Sequence, residues 1–368
     1  MDIEEFKSRL ANRDISRRQV MQAMSAAGLA LAAMPLSSKL ARADDQATYF
    51  TWSGYDDPGF FPAYVKKYGG NPNLPIFSDE QEAFQKLMAG FVADVAHPCS
   101  GRIEKWRNAK LIKPFDTSRL SNWPDVFEPL KHINTADQGG QQWFAPIDWG
   151  NTAVIYRSDV VQPKEKSWEL LWDERYKGKI SMGDDITDTG IITGLLIGAK
   201  DPYAMTDDEL KQVKAKLAAQ KPLVRFYWSD TTVLEQGIAS GEIVAASAWN
   251  GTLAKMLDQG IPVTWMAPKE GMLTWVCGAV LTTNAPQPDK AHDLIDALIS
   301  KEAGLWLIND IGYGHSNSKA FKEAGAEKLA RIGLPPEPTE HLKQGVFSKD
   351  NTRLEDLTQI FEQVKAGV

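Results

Sequence analysis

The sequence predicts an α/β fold with mostly parallel sheets flanked by helices, and three observations lead to this class. Short apolar runs with strand character alternate with helical runs along most of the chain. The 368 residues are 43% hydrophobic and 24% charged, an ordinary globular composition with room for two domains. In the stretch 241–257, an apolar run at 243–248 leads through Trp-Asn-Gly into a helical pattern.

The first 43 residues have the order of an export signal. Arg17 and Arg18 precede an Ala-rich apolar segment at 23–36, and Ala-Arg-Ala at 41–43 offers a cleavage site. The paired arginines indicate the twin-arginine route, and an amphipathic surface helix is the alternative. Removal of this segment takes away seven Lys/Arg and four Asp/Glu, so the mature chain is more acidic than the −7 of the full sequence. Later segments fall short of the roughly 18 apolar residues of a membrane span, so we expect a soluble, acidic protein outside the cytoplasm.

Composition and motifs exclude several functional classes. The acidic balance, without a long basic run, disfavours nucleic-acid binding. Two cysteines and five scattered histidines leave no structural zinc site. The G-x-S-x-G, H-E-x-x-H, P-loop and G-x-G-x-x-G motifs are missing, so no cofactor, metal or catalytic residue is predicted. Twelve tryptophans, by contrast, supply many rings that could line a binding site.

Two loops of the amino-terminal part carry candidate ligand-binding residues. A strand at 47–52 ends in a loop flanked by Trp52 and Tyr55, followed by helices at 60–68 and 80–91. A strand at 92–96 leads into a loop that places Ser100 and Arg102 beside the start of the next helix. A hydroxyl and a guanidinium at a helix N-terminus suit an anion. The equally weighted alternative places Arg102 on a solvated helix face.

The central part contains a carboxylate cluster. Residues 142–157 form two strand-like runs around 148–151, and a strand at 180–182 leads into Asp184, Asp185 and Asp188 before an apolar helix at 191–197. These carboxylates could cap the helix, since Asp is favoured in its first turn. Because a cap uses one Asp and leaves the other two unexplained, we favour a cation site over the cap.

Aromatic residues follow further strands. The remaining predicted strands lie at 224–229, 262–267 and 273–282, and the remaining helices at 202–221, 232–240, 289–300, 302–308 and 354–366. Trp249, Trp275 and Tyr313 fall at strand ends or in loops, where open α/β sheets bind ligands. For one isolated Trp, a core ring at a strand–helix corner is the preferred interpretation. Together with Asp185 and Asp188, these aromatics would form a cage for an ammonium group.

Five motifs in order resemble the spermidine/putrescine-binding periplasmic protein family. They are Tyr-Phe-Thr-Trp-Ser-Gly-Tyr at 49–55, Gly-Asp-Asp-Ile-Thr-Asp at 183–188, Ala-Trp-Asn-Gly at 248–251, Thr-Trp-Val-Cys at 274–277 and Ile-Gly-Tyr-Gly at 311–314. The resemblance spans about 47–367. It implies the two-lobed periplasmic-binding-protein fold (type II), with two crossover segments as the hinge. It also implies a non-enzymatic, monomeric receptor that serves the membrane permease of an ABC importer.

The resemblance also implies lobe boundaries and site residues. The first lobe would comprise 44–147 plus 277–321, and the second 148–276 plus 322–368, with the ligand cleft between them. Trp52 and Tyr55 would come from the first lobe, and Asp185, Asp188 and Trp249 from the second. Trp275 and Tyr313 would complete the aromatic walls.

Departures from the family pattern bear on the ligand. Cys277 stands where the family has a carboxylate two residues after the Trp, and Phe347-Ser348 where it has a Gln. A second ammonium group is then hard to satisfy, because a buried unpaired charge is costly. Arg102 or Arg225 could instead meet a ligand carboxylate. We therefore expect an ω-amino acid such as 4-aminobutyrate (GABA). Putrescine or spermidine, and a secreted hydrolase using Asp185 and Asp188, are the alternatives.

The resemblance also bears on the two cysteines. Both positions approach the pocket in the family, and an oxidising compartment favours pairing. We expect a Cys99–Cys277 disulfide at the pocket floor, with two free thiols as the alternative.

Overall fold

The structure, a computed structural model, describes residues 46–133, 136–344 and 346–367. The predicted twin-arginine signal at 1–43 lies outside the described residues. Within the described ranges, helices of the length and apolarity needed to cross a bilayer do not occur.

Two strands are much longer than the rest. These are β7 (Ala145–Arg157) and β12 (Leu273–Thr282). The other strands are β1 (Tyr49–Trp52), β2 (Ile76–Phe77), β3 (Val95–Ala96), β4 (Ile112–Lys113), β5 (Asp137–Gln138), β6 (Gln141–Gln142), β8 (Ile180–Gly183), β9 (Val224–Trp228), β10 (Ala245–Trp249), β11 (Val263–Met266), β13 (Gly314–His315) and β14 (Val346–Phe347).

The helices alternate with these strands. They are α1 (Pro62–Tyr68), α2 (Glu80–Met88), α3 (Ile103–Asn108), α4 (Glu128–Lys131), α5 (Ile186–Leu196), α6 (Asp207–Gln220), α7 (Thr231–Ser240), α8 (Asn250–Asp258), α9 (Pro288–Leu298), α10 (Lys301–Trp306), α11 (Ser318–Arg331), α12 (Thr339–Gln344) and α13 (Leu354–Ala366). Short 3₁₀ turns lie between them, including one at Ser100–Arg102 that leads into α3.

Two groups of parallel strands are joined by the long strands. β2, β1 and β3 form one parallel group, and β10, β8 and β9 form the other. β12 runs antiparallel to β3, β7 runs antiparallel to β10, and β7 and β12 pair with each other. The continuous order is β2-β1-β3-β12-β7-β10-β8-β9. The predicted α/β class with parallel strands is confirmed. Apart from the separate β5–β6 hairpin, the antiparallel pairs involve the two strands that cross between the groups.

The predicted interruption of the strand at 148–151 is wrong. β7 runs without a break from Ala145 to Arg157, and its first eleven residues are buried. It pairs with β12 along one edge, and with β13 at 148–149 and then β10 from 152 along the other, so its backbone continues without a turn. The middle of β7 is therefore a rigid part of the sheet.

Large aromatic side chains fill the core beneath both groups of strands. Phe50, Trp106 and Phe144 are fully buried in one cluster, and Trp168 packs with Met182 in another. Burial of a large aromatic side chain removes about 150–250 Å² from water and stabilises the fold by several kcal/mol.

The tryptophans divide into a core set and a partly exposed set. Trp106, Trp149 and Trp168 are fully buried, whereas Trp52, Trp249 and Trp275 remain half-buried. The rings predicted to line a site are thus those that keep accessible surface.

The predicted lobe boundaries at 147/148 and 276/277 fall inside β7 and β12. Leu329 and Leu342 share a core cluster with Phe50, whereas Leu357 and Phe361 pack against α6. The assignment of 322–368 to the second lobe stays a prediction, as do the two boundaries.

Candidate functional site

One face of β7 organises the site. Side chains two residues apart on a strand share a face, so Asp148, Gly150 and Thr152 lie in a row spanning about 13 Å of backbone. Each position contacts a different predicted site residue. The row therefore sets the spacing between the parts of the site.

Thr152 holds the first of these residues, Asp188. The Thr152 hydroxyl donates to Asp188 Oδ2 at 2.6 Å, and the Trp249 side chain also hydrogen-bonds this carboxylate. Trp249 reaches it because it is the register partner of Thr152 across the β10–β7 pair. Burial, and then the charge of nearby Asp185, raise the pKa of Asp188 to about 7. Asp188 as a whole residue is half-buried, and desolvation is the largest cause of its raised pKa.

The three carboxylates of the Gly-Asp-Asp-Ile-Thr-Asp stretch have different roles. Asp185 caps α5, because its side chain accepts from the Thr187 backbone N–H at 2.8 Å. Asp184 instead pairs with Lys365 of α13 at 2.8 Å. The expectation that all three form one cation site is therefore wrong. Only Asp188 has its carboxylate among the aromatic rings, with Asp185 close enough to act on it electrostatically.

Gly150 makes room for Trp275. A Cβ atom built on Gly150 would lie 2.3 Å from the Trp275 ring, closer than any side chain allows. Trp275 packs edge-on against Tyr313, with ring centroids 4.8 Å apart. Gly251, at the start of α8, approaches the Tyr313 ring in turn. The two predicted aromatics are thus brought together over the middle of β7.

Asp148 holds Tyr55. The Tyr55 hydroxyl donates to Asp148 Oδ2 at 2.6 Å, and His97 Nε2 lies 2.9 Å from Asp148 Oδ1. Asp148 is 2% exposed and His97 is fully buried. Burial, followed by the Asp148 charge and by Tyr313, raises the pKa of the Tyr55 hydroxyl well above its usual value. Tyr55 and Tyr313 are therefore neighbours at this end of the row.

Trp52 and Trp228 extend the aromatic walls. The Trp52 indole donates to the His97 carbonyl at 2.8 Å, and its ring packs against Phe77. Trp228, which the sequence analysis did not single out, packs edge-on against Trp249 with centroids 5.0 Å apart. Both contacts hold a half-buried indole ring in place.

Arg102 is already paired within the protein. Its guanidinium contacts Glu80 at 3.1 Å and Asp350 at 3.2 Å, and its side chain is 21% exposed. Burial lowers the pKa of Arg102, but the charges of Glu80, Asp350 and Asp185 outweigh this effect and raise it. The alternative of a freely solvated side chain is excluded by these contacts. They also mean that a ligand carboxylate would compete with two resident ones.

The other residues predicted to bind a ligand anion are less suited to that role. Arg225 is exposed and paired with Glu242 at 2.7 Å. Ser100 is buried at the start of its 3₁₀ turn. Glu80, missed by the sequence analysis, accepts from the Cys99 backbone N–H at 2.7 Å. A carboxylate therefore occupies the loop where a ligand anion was expected.

Cys99 and Cys277 form a disulfide that joins the Ser100–Arg102 turn to β12. Cys277 is the register partner of Asp148 on β7. The bridge thus lies directly beside the end of the row that holds Tyr55.

Asp148 and Thr152 are the site residues that sequence reasoning missed. The available signal was the period-2 spacing of Asp148, Gly150 and Thr152 within a strand-like run, obscured by the assumed turn. Within the described ranges, clusters of three or more His, Cys, Asp or Glu side chains suited to a metal ion are not found.

Comparisons with known proteins agree with this architecture. The profile of the bacterial extracellular solute-binding proteins matches residues 77–331. The chain is 25% identical over 348 residues to the spermidine/putrescine-binding periplasmic protein of Escherichia coli, covering 92% of this chain and 97% of that protein. It is 24% identical over 289 residues to a putrescine/agmatine-binding protein of Pseudomonas aeruginosa, covering 74% and 78% of the two chains.

A solved structure shares the fold. The spermidine/putrescine ABC transporter substrate-binding protein of Streptococcus pneumoniae superposes with a TM-score of 0.74 at 19% identity, covering 88% of this chain and 99% of that one. The predicted two-lobed fold is confirmed, and the relatives are binding proteins, not enzymes. The profile match, extending over most of the chain, shows that this protein belongs to the bacterial extracellular solute-binding proteins.

Proposed function

We propose that the protein is the periplasmic receptor of an ABC importer and binds a small linear amine. The observation that carries this proposal is the environment of the Asp188 carboxylate, which has uncharged donors and a raised pKa. Its two hydrogen-bond donors, Thr152 and Trp249, are uncharged, and its pKa is raised to about 7. Within the described part of the chain, Asp188 has no ion pair with a lysine, arginine or histidine. A ligand ammonium is the partner that would restore its charge balance.

The surrounding rings suit the rest of such a ligand. Trp249 and Trp228 meet edge-on beside Asp188, so an indole face is available to an ammonium group. Trp275 and Tyr313 lie further along β7, where methylene groups of a linear ligand would pack. The printed name of the Escherichia coli relative, a spermidine/putrescine-binding protein, supports the same chemical class.

Two candidate ligands differ in the charge of their second end. We place diamines such as putrescine first, because Arg102 is already held by Glu80 and Asp350. A zwitterion such as 4-aminobutyrate is the second candidate. The specific observation that favours it is the Trp275 indole N–H, which is buried and has no partner among the described residues. This donor would suit a carboxylate oxygen.

The cellular setting follows from the same class. We propose export by the twin-arginine route, action in the periplasm and delivery of the ligand to a membrane permease. The names of the relatives support a periplasmic binding protein as part of a transporter.

Calorimetry on the mature protein tests the amine proposal. Putrescine, spermidine, 4-aminobutyrate and a sugar control are titrated, and ligand recovered afterwards is checked for chemical change. We expect one equivalent of amine to bind and to be released unchanged. Removal of one partner from a buried charge pair costs about 3–5 kcal/mol, so Asp188→Asn should weaken amine binding at least a hundredfold.

Asp184→Asn is the matched control, because Asp184 lies in the same loop but pairs with Lys365 away from the rings. It should bind the amine like the wild type. Equal amine affinity in the wild type and the Asp188→Asn variant, or no amine binding at all, would refute the proposal.

A further inference from the structure

A buried hydrogen-bonded chain connects His97, Asp148 and Tyr55. Asp148 Oδ2 lies 2.6 Å from the Tyr55 hydroxyl, and Oδ1 lies 2.9 Å from His97 Nε2. An ionised carboxylate only accepts hydrogen bonds, so both neighbours must donate to it. The single hydrogen of the Tyr55 hydroxyl is therefore committed to Asp148.

Two observations indicate that Asp148 accepts both of these hydrogen bonds. The 2.6 Å separation falls within the range of hydrogen bonds from a hydroxyl to a charged carboxylate. His97 Nδ1 lies 2.8 Å from the Tyr49 hydroxyl and 2.9 Å from the Thr51 hydroxyl, and either can donate to it. Both ring nitrogens of His97 therefore have partners when Nε2 donates to Asp148. Across the described ranges, Asp148 is paired with neither a lysine nor an arginine.

Tyr55 keeps its hydrogen, and its hydroxyl lies at the Asp148 end of the row, near Tyr313. Burial and the Asp148 charge raise the pKa of Tyr55 well above its usual value, so the phenol remains protonated. Tyr313 is its electrostatic neighbour, and Tyr313 packs on Trp275 above the middle of β7. Tyr55 therefore lies at the opposite end of the row from Asp188.

We propose that Asp148 is a specificity-determining residue that acts through Tyr55. By holding the Tyr55 hydrogen, it leaves that oxygen able only to accept, so this end of the cleft selects a hydrogen-bond donor such as a second ammonium group. This inference rests on the proposed amine-binding function and deepens it. Asp148 is a positioning residue, since its own 2% exposure leaves it out of direct reach of the ligand.

The negative charge of Asp148 reinforces the selection of a hydrogen-bond donor at this end of the cleft. A ligand carboxylate near Tyr55 would face the buried Asp148 charge in a medium of low effective dielectric, where repulsion is strong. The unpaired Trp275 N–H is an uncharged donor and offsets only part of that repulsion. The arrangement therefore favours a diamine over an ω-amino acid of similar length.

The test is the ratio of putrescine affinity to 4-aminobutyrate affinity in the Asp148→Asn variant. The Asn amide oxygen can accept from His97 Nε2, and its NH₂ group can donate to the Tyr55 oxygen. The Tyr55 hydrogen is then free to donate to a ligand, and the buried charge is gone. We expect the ratio, which favours putrescine in the wild type, to fall at least tenfold while thermal unfolding confirms a folded protein.

Two further variants keep the inference testable. Tyr49→Phe alters the far side of His97 and leaves the Asp148–Tyr55 bond in place, so its ratio should match the wild type. Tyr55→Phe removes the acceptor and should lower the ratio by itself, even where Asp148→Asn does not fold. In the Tyr55→Phe background, Asp148→Asn should change the ratio less, because the hydroxyl is already gone and only the charge of Asp148 remains to discriminate between the ligands.

The outcomes separate the two proposals. An unchanged ratio in both Asp148→Asn and Tyr55→Phe, with amine binding still dependent on Asp188, overturns this inference alone. A wild-type preference for 4-aminobutyrate also overturns it. A wild type that binds neither amine refutes the proposed function and this inference with it.

Discussion

Thr152 donates its hydroxyl hydrogen to Asp188 Oδ2 over 2.6 Å, which ties the middle of β7 to the first turn of α5. Trp249, the register partner of Thr152, hydrogen-bonds the same carboxylate. Two elements far apart in sequence thus orient one acidic group toward the cleft. The pair is a direct target for mutation.

We expect Thr152→Val to weaken amine binding about tenfold or more. Valine keeps the shape but removes a hydrogen bond to a charged group, worth about 1.5–3 kcal/mol. Calorimetry at pH 8, where Asp188 is ionised, measures the effect. Thr152→Ser retains the donor and should bind within about threefold of wild type. A loss in Thr152→Ser with none in Thr152→Val would show that the methyl group matters, not the hydrogen bond.

Amine affinity should fall as the pH drops below about 7. The pKa of Asp188 is raised to about 7 in the free protein by burial and by Asp185, and only the carboxylate attracts an ammonium group. Each pH unit below that value should therefore weaken binding by up to about tenfold. Titrations from pH 5 to pH 8 check this. Asp188→Asn should show a much flatter profile in the same range.

Asp188 should also destabilise the free protein as the pH rises. Its folded pKa of about 7 exceeds the unfolded value of about 3.9, so the folded state holds more protons between these values. Its contribution to the free energy of unfolding is thus most favourable at low pH and is lost as the pH rises toward 7. His315, whose pKa burial lowers to about 4, acts in the opposite sense.

A comparison of unfolding at pH 5 and pH 8 isolates the Asp188 contribution. Because Asn cannot ionise, Asp188→Asn should stabilise the free protein at pH 8 more than at pH 5. The His315 contribution is common to both proteins and cancels in the difference. The same stabilisation at both pH values would contradict a raised pKa at Asp188.

Gly150→Ala should disrupt the aromatic wall. The added Cβ would lie 2.3 Å from the Trp275 ring, which must then move away from Tyr313. We expect amine binding to weaken at least tenfold and the tryptophan emission to change. Gly183→Ala is the matched control, since its Cβ would meet Trp228 at an ordinary 3.7 Å. Similar amine affinities for the two variants would show that the position of the Trp275 ring does not determine amine binding.

Loss of the Cys99–Cys277 disulfide should lower stability and leave the rest of the fold intact. The bond spans 178 residues, and removal of a native disulfide typically costs about 2–5 kcal/mol. The double Cys→Ser variant should therefore unfold at lower denaturant concentration than the oxidised protein, and a reductant should shift only the wild type. Mass spectrometry should show the protein to be two hydrogens lighter before reduction. Two free thiols in protein purified from the periplasm would contradict the bond.

Local sequence patterns predicted helices and strands, and two residues of the proposed amine site. The predicted strand at 273–282 and helix at 354–366 coincide with β12 and α13, because alternation and helical spacing of apolar residues are local signals. Trp249 and Asp188 were recognised because both follow strands, and the carboxyl ends of parallel strands share one edge of a sheet.

Only the tertiary structure decided the partners of the charged groups. Asp148 meets Tyr55 across 93 residues, and Arg102 meets Asp350 across 248, so no local pattern could predict either contact. The same holds for β7, whose polar centre has the sequence pattern of a turn but pairs with β12 on one edge and with β13 on the other. Periodicity depends on neighbours in sequence, whereas the charge presented to a ligand depends on neighbours in space. The physical reason is that pairing energy is set by distance and desolvation, which exist only once the chain has folded.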